Sequence, residues 1–220
     1  MACYLKEEIG QVEKHLSLCD RCKEIVEVTK KIKEMEKELE ELIHTTHVAS
    51  INYEIWWVYN NKEDRSKYLN IMNKYSEFFS ASIHAHFVAM LMALSKLYEN
   101  RNNTVNINKF LISIRNKQFI DEVILVEVEQ SLKNKKDLIE KICILRNNYF
   151  AHISNKLDYD EVLDKANIKY KNFRELIDLA YDLLKKISHA YNRGDVSPRR
   201  FSREDVLRLL NNLRGNIEDN

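Results

Sequence analysis

A chain of 220 residues with only three glycines and one proline has few places where it can turn sharply. Sheet-rich folds need turn residues at most strand ends, so this scarcity favours an all-α architecture. The spacing of apolar residues agrees. From Asn172 to Asn192, Phe173, Leu176, Ile177, Ala180, Leu183, Leu184 and Ile187 recur at helical intervals and form one stripe, with Gly194 as the stop. The same reading predicts a short helix over 4–18 and one long helix over 65–99, bent near Ser80-Ala81-Ser82, with Asp64 as its N-cap. Asn100 to Asn103 read as a loop. Asn106 then caps a short helix to about Arg115, and further helices cover 119–133, 135–154 and 203–213.

The first third of the chain carries a heptad. Leu18, Ile25, Ile32 and Leu39 share one register position, and Val28, Met35 and Leu42 share the other. A dimerising coiled coil and a long helix laid across its own bundle both use this pattern. Residues 48–59 are aromatic and apolar, with Tyr53, Trp56, Trp57 and Tyr59; such rings can stack bases, but core or interface packing is the expectation. Three segments follow: an N-terminal helical extension over 1–47, a helical bundle over 48–194 and a basic helical tail over 195–220.

Charge narrows the function. Lys and Arg number 35 against 34 Asp and Glu, so there is no global basic field and any nucleic-acid contact must use a local patch. The tail offers one, with Arg199, Arg200 and Arg203 as RNA-binding candidates. No run of 18 apolar residues appears, and residues 1–8 lack a signal-peptide core, so a cytoplasmic protein with no membrane partner is expected. Cys19 and Cys22, with Cys3 and His15, lack the two-pair spacing of zinc sites, so no metal or other cofactor is expected. His44 and His47 share a face without an acidic or cysteine neighbour and read as surface or packing residues, while His84 and His86 point to different faces.

Chemistry concentrates in Leu145-Arg146-Asn147-Asn148-Tyr149-Phe150-Ala151-His152. In a helix Arg146, Tyr149 and His152 climb in steps of three beside the apolar Ile142, Leu145 and Ile153, which puts the polar groups at the rim of a packed surface. A fixed cation and a group that titrates near neutral pH suit a phosphodiester. The bland alternative is that Arg146 pairs with a carboxylate of a neighbouring helix and His152 interacts with helix-terminal carbonyls.

This stretch resembles the signature of the HEPN superfamily of helical ribonucleases, an Arg followed by a polar residue and then a His. Its wording is most similar to the abortive-infection U-type (Abi U) branch. A second stretch agrees, Phe87 to Tyr98 followed by a polar loop and Thr104-Val105-Asn106-Ile107. The resemblance spans roughly residues 50–190 and implies an all-α, HEPN-type bundle. It further implies a metal-independent endoribonuclease acting as a toxin or in anti-phage defence. Arg146 and His152 would be catalytic, Asn147 would orient the phosphate or the His, and Tyr149 would assist. RNA is the implied substrate, two copies face each other in a homodimer, and an antitoxin protein is admitted as a further partner. Ser154 stands where many HEPN proteins paired with a nucleotidyltransferase carry a Tyr, so regulation through that Tyr is not carried over. Two other classes stay open: a non-catalytic helical module that binds protein or RNA, and an antitoxin or scaffold built on the heptads.

Overall fold

Helical spacing of apolar residues runs through almost the whole chain, and the computed structural model turns it into eight helices with no strand among the described residues. Those residues are 20–99, 104–151, 163–164, 166–197 and 201–218. The helices are α1 (Asp20–Asn60), α2 (Lys62–Lys74), α3 (Ser76–Tyr98), α4 (Ile107–Lys117), α5 (Glu122–Asn134), α6 (Lys136–Ala151), α7 (Tyr170–Ala190) and α8 (Phe201–Glu218). The expected helix over 4–18, most of the cysteine set and the 100–103 loop lie outside the described residues.

Helix α1 organises the bundle. It lies along α3 for much of its length, and α7 and α8 pack on its other sides. Its 41 residues pass through 47 and 48 without a break. The two ends of the heptad meet different fates. Met35, Leu39 and Leu42 are buried in the main core, whereas Ile25 and Val28 are exposed. Among the described residues of the repeat, the C-terminal part is therefore the part laid across its own bundle.

The core is centred on Trp56. Its ring meets Phe87 at 5.5 Å and Phe173 at 5.8 Å, the latter edge to face. Every residue of the α7 stripe is buried, as its spacing requires. Helix α3 is apolar and long enough to cross a membrane by length and composition, and its Phe87, Met90, Leu91, Leu94 and Leu97 are core residues. A second, smaller cluster joins Tyr59, Tyr68, Ile71, Met72 and Phe79 to Val206 and Leu210 of α8.

Several helix ends differ from expectation. The predicted 65–99 helix is two helices, and the break falls at Tyr75 (φ −118°, ψ 43°), not at 80–82. Neither Gly nor Pro marks it. The break lets α2 and α3 turn Ile71, Met72 and Phe79 onto one patch, so packing places it. Asn61 is the N-cap of α2 and accepts from the Glu63 N–H, while Asp64 is buried three residues further on. Asp64 instead accepts from Arg203 at 2.9 Å, which ties α8 to α2. Asn106 caps α4 as expected, its Oδ1 accepting from the Lys109 N–H at 3.0 Å. At the end of α7 the left-handed residue is Asn192 (φ 55°), not Gly194. The Arg193 N–H returns to the Ser188 carbonyl at 2.9 Å, closing the helix around an Asn that tolerates this conformation.

Candidate functional site

The signature helix α6 packs on α3, and Leu145 enters the core while Arg146 turns toward the end of α3. There α3 stops at Tyr98, whose hydroxyl donates to the Leu176 carbonyl at 2.6 Å. The next residue, Glu99, is the C-cap, and its backbone N–H bonds the Ser95 carbonyl at 2.8 Å. This fixed end presents the Glu99 carboxylate to Arg146, which donates to it through Nη2. Arg146 is 8% exposed, so the guanidinium is a buried cation with a carboxylate partner. The pairing expected from the bland reading is thus present.

The pair does not use all of Arg146. Its Nε is buried and has no hydrogen-bond partner, and the same holds for the Ser95 hydroxyl. Both residues line a cleft of about 460 Å³. Buried donors without acceptors are uncommon in native proteins, and each one asks for an explanation. Here the two residues that carry such groups line one cavity. His44, Thr45 and Val48 of α1 contribute a wall of it, and Lys96, whose Nζ bonds Glu41 at 2.9 Å, and Thr104 also line it. His44 is exposed and His47 is packed against the Tyr181 ring at 5.6 Å.

The two sequence stretches singled out above therefore converge. Arg146 comes from the first; Ala89, Met92, Ala93, Ser95, Lys96 and Thr104 come from the second. Of the other signature residues, Asn147 is exposed and is not among the described residues that line the cleft. The side chain of Tyr149, and His152 altogether, lie outside the described residues, as do Arg199 and Arg200. Arg203 is half exposed and bonded to Asp64. Glu99, Ser95 and His44 were not found by sequence reasoning. Glu99 is 47 residues from Arg146, and only the fold brings them together.

The described residues include no group of three His, Cys, Asp or Glu side chains able to hold a metal ion. The cavity sets a guanidinium and its Glu99 partner beside a buried hydroxyl and an exposed imidazole, groups that can offer hydrogen bonds to an oxyanion.

The sequence model of the AbiU2 family of HEPN proteins matches residues 32–211, 180 of the chain's 220. The chain belongs to the AbiU2 HEPN family. Membership carries an abortive-infection-related role and accounts for the all-α, HEPN-type fold. No curated protein and no solved structure matches the chain. The matched span begins within the heptad and ends in α8, so the AbiU2 unit takes in both the core-packed part of α1 and the α8 helix.

Proposed function

We propose that this AbiU2 protein is a metal-independent endoribonuclease acting as a toxin or in anti-phage defence. The observation that carries the reading is the cleft at Arg146, where a buried Nε and the buried Ser95 hydroxyl lack partners. A phosphoryl group is the acceptor that suits both. The reaction is transesterification. The RNA 2′-oxygen bonds to the adjacent phosphorus as the bond from phosphorus to the 5′-oxygen breaks. One imidazole takes the 2′-hydroxyl proton and another gives a proton to the departing 5′-oxygen, leaving a cyclic phosphate. His152 fills these roles, and a homodimer supplies two copies. Arg146 stabilises the charge that builds on the phosphoryl oxygens. The cavity's own polar groups then act as binding groups, with Glu99 holding the guanidinium in place rather than touching RNA.

The test is incubation of the purified full chain with RNA in EDTA. Cleavage is expected, and His152→Ala should reduce it by about 10²- to 10⁴-fold. Arg146→Lys should restore only part of what Arg146→Ala loses, because an ammonium lacks the planar fork. Absence of cleavage by the wild type overturns the reading. A second reading, a non-catalytic module that binds protein or RNA, is favoured by the Arg146–Glu99 pair, since a buried ion pair can be purely structural. It expects no cleavage at all, with RNA or partner binding unaffected by His152→Ala.

A further inference from the structure

A second opening lies where the C-terminal end of α1 meets α2, α3 and the start of α7. It is a groove of about 770 Å³. Trp57 lies nine residues beyond Val48, so it sits about 14 Å further along α1 and on roughly the opposite side of the helix from the Arg146 cleft. The groove is therefore a separate surface.

Its lining has a particular chemistry. Trp57 and Tyr170 meet edge to face at 5.8 Å and form its aromatic end. Lys62 and Arg65 supply two exposed cations, Asn73 and Ser80 supply an amide and a hydroxyl, and no carboxylate among the described residues lines it. That is unusual in a chain whose acidic and basic residues are nearly equal in number. The contrast with the other arginines is sharper. Arg115, Arg146, Arg174, Arg193, Arg203 and Arg208 each have a carboxylate partner, and Arg214 lies 5.8 Å from the Tyr68 ring. Among the arginines whose side chains are described, Arg65 is the one with neither. An unneutralised pair of cations calls for an anion, and the adjoining rings and amide call for a flat, hydrogen-bonding group. A nucleotide unit carries both, and the volume is in the range that holds small ligands.

We propose that this groove binds single-stranded RNA, with Lys62 and Arg65 on its phosphates and the Trp57–Tyr170 end against a base. The proposal does not depend on Arg146 or on RNA cleavage. Its test measures binding of a short fluorescein-labelled oligouridylate by anisotropy over a range of salt, with the full chain carrying His152→Ala. Lys62→Ala with Arg65→Ala should weaken binding by about tenfold or more. The slope of log affinity against log salt should fall by about 1.4, or about 0.7 for each phosphate of a single strand that is no longer neutralised. Both side chains are exposed, so this variant tests binding without testing the fold. Trp57→Leu should weaken binding by about tenfold and leave the slope unchanged, since stacking is not screened. Unchanged affinity and slope in the double variant overturn the proposal. So does a slope change found only with Arg199→Ala and Arg200→Ala, which would assign the phosphates to the tail. Competition by uridine monophosphate as strong as by the unlabelled oligomer would also overturn it, in favour of a free nucleotide.

Discussion

Arg146 does two jobs with one side chain. Its Nη2 is held by Glu99, and its Nε is buried without a hydrogen-bond partner in a residue that lines the cleft. Arg146→Ala should therefore lower stability as well as activity. Removing one partner of a buried pair is strongly destabilising; because Glu99 is about a quarter exposed, water softens the loss, and about 2 kcal/mol is expected in denaturant titration. Glu99→Gln keeps the shape and an acceptor for the guanidinium. It should retain most of the stability, and its effect on RNA cleavage reports how much the carboxylate contributes to positioning. A second residue gives a pH signature. His86 is half-buried, with Nδ1 2.8 Å from the Asn52 Oδ1, and burial holds its imidazole below the usual range. The unfolded chain then binds a proton that the folded chain resists. This contribution to stability is present above about pH 6.5 and is lost as the pH falls through the folded value. Melting temperatures measured from about pH 7.5 down to about pH 5.5 should fall more steeply for wild type than for His86→Gln.

The two ends of α1 make opposite predictions. Leu39 is fully buried, so Leu39→Ala should cost about 2–5 kcal/mol. Ile25 and Val28 are exposed, and Lys at both positions should change the stability of a single chain by less than about 0.5 kcal/mol. If the free heptads pair two chains, the same substitutions should reduce the mass seen by light scattering. Helix α8 yields a further expectation. Val206 and Leu210 cover the small cluster, and Arg203 neutralises the buried Asp64. Deleting 201–220 should thus lower the melting temperature, and whether the tail binds RNA is tested more cleanly by Arg199→Ala with Arg200→Ala. The α7 stripe was legible because a 3.6-residue period buries one face wherever it occurs, and Asn106 was legible because a cap is a local device. The break at Tyr75 was not, since neither Gly nor Pro marks it and it depends on where Phe79 and Ile71 come to rest.

At the scale of the molecule, the fold class was readable from turn scarcity and periodicity, and the signature singled out Arg146, which the fold places at the wall of a cleft. That this residue meets the Phe87–Tyr98 stretch, Glu99 and His44 at one cleft was not readable. Glu99, Ser95 and His44 belong to α1 and the end of α3, and no spacing rule links them to α6. Trp57 was hidden for a different reason. It sits in an aromatic run whose other rings, Tyr53, Trp56 and Tyr59, are buried, and composition cannot separate the one ring at the groove from its buried neighbours. Both openings draw on the same part. Helix α1 is an unbroken rod of about 60 Å. It gives His44, Thr45 and Val48 to the Arg146 cleft and Trp57 and Asn60 to the Arg65 groove, while its Ile25–Val28 end stands clear of the core. One rigid helix thus forms a wall of each opening, so any displacement of α1 within its packed surroundings would alter both openings together.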